Sequence, residues 1–449
     1  MPRRPEPRHL TTLAAALSVA WLGGCSLWSS RPAGDDEPTL RTLAERTPPA
    51  IQTGKLRSTE DQALAAWRAL LAAQPDPRQR AQALRRLGDL EMDRTDSALT
   101  TDTGASAPQA SHREAIASYQ AYLKAYPQAP DNDRVLYQLA RAHELDGEPE
   151  AALATLDRLV ASYPATRYLD EAQFRRGELL FTARQYPAAE QAYSAVLARA
   201  EPTVFHDRAL YMQGWSRFKQ GQLDGALEAF LGVLDGKLAD QDPAVPLEQL
   251  DSLSRADREL LDDSFRVVSL TLENLQGAAS IPPVTASPAR QHYQVRLYRR
   301  LAALYLQQDR PKDAADTLLA FTRLRPEDAQ APALQDEVIG IYAQAGFAQQ
   351  AQQVKVDFVT RYGAHGPYRQ ANPDAWQDAQ PQVREHLAEL ARQAHAQAQQ
   401  SHAAADVAQA VQWYRTLLTD FPDHPETAEN RFLMAELLFE ARRFDEAAQ

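Results

Sequence analysis

The sequence predicts an all-α fold, an α-α solenoid of stacked helical hairpins, and three spacings carry that reading. Ala115, Ala152, Ala189 and Ala226 stand at equal intervals of 37 residues, and the same interval separates Ala314 from Ala351 and Ala410 from Ala447. A large residue follows most of these alanines after four positions: Trp67 after Ala63, then Tyr119, Leu156, Tyr193, Phe230, Leu318 and Tyr414. Four residues is about one helical turn, so the alanine and the large residue share a face. Proline arrives twelve residues after the alanine at Pro75, Pro127, Pro164, Pro326 and Pro422, and it closes the helix.

A helix upstream completes each hairpin. Ala140, Gly177, Gly214, Ala302 and Ala435 lie twelve residues before the alanine, where a small side chain lets two helices approach closely. Between the two helices stand turn signals: Asp146-Gly147-Glu148, Gly221-Gln222, Asp309-Arg310-Pro311 and Ala345-Gly346. This order of small residue, turn, alanine, aromatic and proline resembles the tetratricopeptide repeat, whose usual period is about 34. Three extra residues per unit would lengthen the turn between units, as in similar repeats of bacterial envelope lipoproteins. The resemblance implies a solenoid that binds other proteins. It says little about which proteins, because the motif residues are packing residues.

Departures from the register divide the array. Ala63 to Ala115 and Gly88 to Ala115 each carry an excess of 15 residues, which places an inserted loop at about 96–111, from Asp96 to Ser111. Between Ala226 and Ala314 there are 14 residues beyond two periods and no clear motif. Within that stretch Ser254 to Gln276 reads as an amphipathic helix capped by Ser254, with Leu260, Leu261, Phe265, Val268 and Leu272 on one face. A loop at Gly277 to Pro288 follows. Lys355 and Gly363 replace the aromatic and the proline of the unit at Ala351, and a polar connection runs from Gly363 to Gln382. The expected organisation is therefore repeats over 58–236, a degenerate repeat and loop over 237–292, and further repeats over 293–449. The chain stops two residues after Ala447, which would leave Phe432, Leu433, Leu437 and Leu438 uncovered. The natural protein is expected to continue beyond residue 449.

The first residues read differently. Arg3, Arg4 and Arg8 precede an uncharged run from Leu10 to Leu22 and then Gly23 and Gly24, the order of a secretory signal over 1–24. That run is shorter than the roughly 20 residues a membrane-crossing helix needs. Leu22-Gly23-Gly24-Cys25 resembles the lipobox of bacterial lipoproteins, which implies cleavage before Cys25 and lipid on its sulfur. Cys25 is the only cysteine, so no intramolecular disulfide competes for it. In the lipoproteins it resembles, serine after the cysteine favours the outer membrane, so Ser26 implies an outer-membrane anchor facing the periplasm. Residues 25–57, rich in proline, serine and charge, read as a flexible linker.

The formal net charge is −12; loss of the signal removes Arg3, Arg4, Arg8 and Glu6 and leaves 45 basic against 59 acidic residues. An acidic chain is a poor binder of polyanions, so nucleic acid is not an expected partner. No catalytic or cofactor-binding constellation stands out: phosphate loops, nucleophile elbows and spaced acidic metal loops are missing. His143-Glu144 begins like a zinc-protease motif, but Gly147 stands where the second histidine is needed, so His143 reads as structural. His386, His395 and His402 read as a solvated histidine face rather than a metal site. Asp35-Asp36-Glu37 reads as a solvated linker, and Asp131-Asn132-Asp133 as a helix cap.

A binding surface is the better candidate. Tyr137, Phe174 and Tyr211 recur at 37 residues on the first helices, with Trp215 and Phe218 beside Tyr211 and with Arg134, Arg141, Arg208 and Lys219 among them. These aromatics either line a groove for an extended or helical peptide or pack between repeats. The leading expectation is a non-enzymatic, lipid-anchored scaffold that needs no cofactor or metal. Its expected partners are other envelope proteins, with the membrane reached through the lipid on Cys25. The alternative is a peptidoglycan or polysaccharide binding module of a larger cell-wall or export protein.

Overall fold

The computed structural model describes residues 59–101, 112–238, 240–242 and 245–448, with backbone alone for 96–101. The chain divides into two units, Met1–Ser58 and Thr59–Gln449. The signal segment, Cys25, Asp35-Asp36-Glu37 and the linker over 25–57 lie outside the described residues.

The second unit is a succession of helices with no strand among the described residues. Helix α1 spans Thr59–Ala72, and hairpins follow: α2 (Pro77–Thr101) with α3 (Arg113–Ala125), α4 (Asn132–Leu145) with α5 (Pro149–Ser162), and α6 (Leu169–Thr182) with α7 (Tyr186–Leu197). Helices α8 (His206–Lys219) and α9 (Leu223–Leu238) form the next, and α10 (Arg255–Asn274) and the short α11 (Ile281–Val284) fill the interruption. Pairs resume with α12 (Pro288–Gln307) and α13 (Pro311–Leu324), then α14 (Ala331–Gln344) and α15 (Ala348–Tyr362). After the short α16 (Pro367–Ala371) come α17 (Trp376–Ser401) with α18 (Ala404–Asp420), and α19 (Thr427–Glu440) with α20 (Phe444–Ala447). Packing is mainly between helices adjacent in the chain, as a solenoid requires.

The phased alanines are the contact points of these pairs. Ala115, Ala152, Ala189, Ala226, Ala314 and Ala410 are completely buried on the second helices. Opposite, the small residue of the first helix lies under the large residue of the second. A Cβ on Gly88 would stand 2.5 Å from the Tyr119 ring, one on Gly177 2.4 Å from Tyr193, and one on Gly214 2.5 Å from Phe230. Where alanine replaces glycine, at Ala140 and Ala302, the residue sixteen positions on is Leu156 or Leu318. Ring against hydrogen and leucine against methyl fill similar space, and burying each such side chain stabilises by about 2–3 kcal/mol. Tyrosine brings a hydroxyl that needs a partner. The acid after the glycine supplies it: Tyr119 donates to Asp89 at 2.9 Å and Tyr193 to Glu178 at 2.6 Å. Phe230 has no hydroxyl, and Trp215, not an acid, follows Gly214.

The turns also repeat. Gly147, Gly221 and Gly346 adopt φ of +80°, +76° and +78°, and Arg184, Asp309 and Arg442 occupy the same turn position at +58° to +59°. Each second helix of the regular type ends on the residue before proline, as Tyr126, Tyr163, Arg325 and Phe421 do with φ near −130°. The proline ring excludes the helical conformation there.

The interruption is more ordered than a loop. Ser254 caps α10 in a reciprocal box with Asp257, and Leu261, Phe265, Val268 and Leu272 are completely buried, while Leu260 is half-buried. The stretch expected as a loop after Gly277 contains a 3-10 turn at Gly277–Ser280 and α11. One core then runs from Ala226 to Phe421 across the break.

Three further expectations differ in detail. Helix α2 continues through Thr101 into the stretch read as an inserted loop, and 102–111 lie outside the described residues. The connection over 363–382 holds α16 and the start of α17, with the Trp376 indole donating to the Tyr362 carbonyl at 2.7 Å. In the last hairpin Leu437 and Leu438 are buried against α17 and α18, so the exposed apolar residues are Phe432, Phe439 and Phe444.

Candidate protein-binding groove

The aromatic column predicted from sequence splits in two. Tyr137 stacks on Tyr168 of the following unit, with centroids 4.5 Å apart and planes at 12°. Phe174 repeats this on Phe205 at 5.3 Å and 27°, and it meets the Tyr193 ring edge-on. Both are buried rungs between hairpins, and of the two only Phe174 also borders a groove. Tyr211 has no such rung above it, because its next neighbour is the interruption. Its hydroxyl instead donates to Asp263 of α10 at 2.8 Å. Tyr211, Trp215 and Phe218 are half-buried and form an edge-to-face cluster, with Phe230 beneath Tyr211 and Trp215. Phe432 occupies the same register position in the last hairpin and is 67% exposed.

The cations of the column are mostly engaged. Arg134 pairs with Asp89 at 3.0 Å, and Arg141 donates to Gln138. Arg208 lies over the Phe174 ring and Lys219 over Trp215.

A groove of about 720 Å³ opens beside Phe174. It crosses successive hairpins: Glu144 comes from α4, Glu150 and Leu153 from α5, Arg175 and Glu178 from α6, and Arg208 from α8. Phe174, Leu153, Leu179 and Phe205 make it apolar, while four glutamates face two arginines. Arg175 is spent inside it, bound to Glu144 at 2.6 Å and to Glu171 at 2.9 Å. Burial pushes the Glu144 carboxyl above its usual range despite Arg175, and its Oε1 has no hydrogen-bond partner. Burial acts on Glu171 in the same direction, but hydrogen bonds from Tyr137 and Arg175 outweigh it and hold that carboxyl low. Burial and the bond to Glu171 push the Tyr137 hydroxyl up to about 12. The groove is therefore apolar in its walls, acidic in balance and internally braced.

Sequence reasoning named Arg208 among the groove cations but missed the glutamates of this groove. The signal lay in other columns of the same register: Arg134, Glu171 and Arg208 are one 37-residue series, and Arg141, Glu178 and Trp215 another.

The histidines carry no shared chemistry. His143 is buried with Nδ1 2.6 Å from Glu148. His386 and His395 do not lie on a solvated face: both are buried, His386 against Asp336 at 2.6 Å and His395 against the Tyr414 hydroxyl at 3.1 Å. The helix brings them to its packed side, and His402 alone is exposed, at the left-handed end of α17. Asp131 stands at the N-cap position of α4 but makes no cap bond. It accepts from the Tyr122 hydroxyl at 2.5 Å and pairs with Arg85, joining neighbouring hairpins. Among the described residues no three His, Cys, Asp or Glu side chains are placed to hold a metal ion, and no helix is long and apolar enough to cross a membrane.

Residues 109–165 and 174–244 match the tetratricopeptide repeat family model. No curated protein matches the chain. Solved structures similar to it include the crystal structure of MamA, at 18% identity over 44% of this chain and 90% of that one, with a TM-score of 0.29. A second is MamA from residue 41 onward of Desulfovibrio magneticus RS-1, at 16% identity over 54% of this chain and 97% of that one, TM-score 0.28. A third is the C-terminal part of a TPR repeat-containing protein from Cytophaga hutchinsonii, at 11% identity over 66% of this chain and 98% of that one, TM-score 0.27. The matched stretches are tetratricopeptide repeats, and they cover α3 to α9 apart from a short break, the hairpins that build the groove. Arrays of such repeats serve as protein-interaction scaffolds.

Proposed function

We propose that this chain is a lipid-anchored scaffold of a bacterial envelope, tethered to the outer membrane through Cys25, whose repeats bind segments of other envelope proteins in the periplasm. The observation that carries the binding half is the groove beside Phe174. It is long enough to cross hairpins, apolar in its walls and acidic in balance. An extended or helical segment that offers an apolar side chain to Leu153, Leu179 and Phe205 and a basic one to Glu150 or Glu178 suits that chemistry.

The anchor half is supported by the order of features at the N-terminus and by the single cysteine of the chain. Acylation there would add membrane affinity independent of the acidic charge, and more than one chain would hold it stably. The experiment is metabolic labelling with a fatty-acid probe in a bacterial host. Label on the natural sequence and none on Cys25→Ala is the expected result, and label that persisted on Cys25→Ala would remove the anchor from this reading. Retention on isolated cell-wall sacculi, undiminished by substitutions in the groove, would favour a glycan ligand instead.

A further inference from the structure

The four glutamates of the groove beside Phe174 are not equivalent. Glu144 is bound to Arg175, and its other oxygen is buried. Glu171 is held by Tyr137 and Arg175, and Glu150 is exposed at the start of α5, where an ion pair contributes little. Glu178 differs from all three. It is half-buried, its Oε1 accepts from the Tyr193 hydroxyl at 2.6 Å, and no side chain among the described residues bonds its Oε2.

The α2–α3 hairpin shows what such an oxygen takes. Asp89 follows Gly88 as Glu178 follows Gly177, and it accepts from Tyr119 on one oxygen as Glu178 does from Tyr193. Its second oxygen takes a single guanidinium nitrogen of Arg134, from the following hairpin, at 3.0 Å. After Glu178 the equivalent residue is Arg208, which stands six residues before Gly214 as Arg134 stands six before Ala140. Arg208 lies over the Phe174 ring instead, 4.9 Å from its centroid, and pairs with no carboxylate among the described residues. The acid that the chain satisfies internally at Asp89 is therefore left for a cation from outside at Glu178.

Tyr193 fixes the direction of that acid. Its ring is completely buried, pressed on Gly177 and edge-on to Phe174 at 5.8 Å. Burial and the bond to Glu178 push its hydroxyl far above the usual range, so it remains a donor at neutral pH.

We propose that Glu178, positioned by Tyr193, selects the partner's cation in this groove, and that it takes a lysine ammonium as readily as an arginine guanidinium. Arginine gains over lysine where two parallel bonds reach both oxygens of a carboxylate. With Oε1 turned to Tyr193, Glu178 offers one oxygen, and a point charge suits it equally. The apolar part of the segment lies against Leu153, Leu179 and Phe205, which are half-buried. The inference rests on the groove reading and adds which acid reads the ligand and which basic side chains it accepts.

The test is ligand-observed NMR titration of the full chain with the amides of N-acetyl-leucyl-lysine, N-acetyl-leucyl-arginine and N-acetyl-leucyl-norleucine at matched ionic strength. The two cationic dipeptides should bind within about twofold of each other and about fivefold more tightly than norleucine, and Glu178→Gln should bring all three together. Tyr193→Phe frees Oε1 while keeping the ring, as Phe230 does over Gly214. Its circular dichroism should be unchanged, while arginine becomes preferred over lysine by a few-fold, a ratio that a merely structural tyrosine would not move. Should Tyr193→Phe lose its fold, the natural chain still decides, because an arginine preference there overturns the assignment. An unchanged ratio in folded Tyr193→Phe, or cationic preference surviving Glu178→Gln, would also overturn it and leave the groove standing. Binding of none of the three dipeptides would remove the groove itself.

Discussion

Gly177 lies directly beneath the ring of Tyr193, so close that a single added methyl would stand 2.4 Å from Cε1. That contact joins the two helices of one hairpin, and its equivalents join the others. Gly177→Ala should cost about 1–3 kcal/mol, because neither ring nor backbone has room to move. Adding Tyr193→Leu should recover much of the loss by recreating the pairing at Ala140 and Leu156. Urea unfolding of the single and double variants checks this, and equal midpoints for the two would contradict the pairing rule.

Arg184 holds φ of +59° at a turn where other hairpins use glycine, and its side chain is exposed. A non-glycine residue in the left-handed region costs about 1 kcal/mol. Arg184→Gly should therefore stabilise its hairpin by roughly 0.5–1 kcal/mol after the entropy of glycine is counted. Thermal unfolding is the measurement, and a lower midpoint would show that the arginine is not strained.

The buried tyrosines set the alkaline limit. Burial pushes Tyr137, Tyr298, Tyr362 and Tyr414 up to about 12, with the bond to Glu171 adding to the shift at Tyr137, and burial also raises Tyr119, Tyr193 and Tyr293. An unfolded tyrosine ionises near pH 10. The folded chain thus keeps protons that the unfolded chain loses, so this contribution is full below about pH 10 and disappears as pH rises through 12. Phenolate absorbance should grow together with loss of helix above about pH 10. Ionisation of these tyrosines with helicity unchanged would refute the account.

Trp215 packs edge-to-face on both Phe218 and Phe230 and is half-buried beside α10. Trp215→Ala should lower stability by about 3 kcal/mol. Tyr211→Phe removes only the hydroxyl bond to Asp263 and should cost no more than about 1 kcal/mol. Chemical denaturation distinguishes the two, and a Trp215→Ala variant as stable as Tyr211→Phe would place the indole in an open groove instead.

The hairpins are legible in the sequence because one packing problem is solved repeatedly, and the solution leaves alanine, ring and proline at constant spacing. The side of the helix that a column faces is less legible. Tyr137, Phe174 and Tyr211 share a register, yet the first two stack on Tyr168 and Phe205 while the third meets an interruption. His386 and His395 look polar in a one-dimensional reading, but both lie on the packed side of α17, where His386 meets Asp336 and His395 meets Tyr414. The groove glutamates escape a motif search because their columns keep the register but change residue type, as Arg134, Glu171 and Arg208 do. Residues outside the packing consensus are where repeats of one fold acquire different ligands.

The most direct test of the scaffold reading is site-specific photocrosslinking in intact cells. A photoreactive residue is placed at Glu150 or Thr182, which line the groove, and at Arg158, which is exposed on α5 outside it. A discrete adduct with another envelope protein from Glu150 and Thr182, and none from Arg158, is the predicted result. No adduct from the groove positions, or the same adducts from all three, would contradict it.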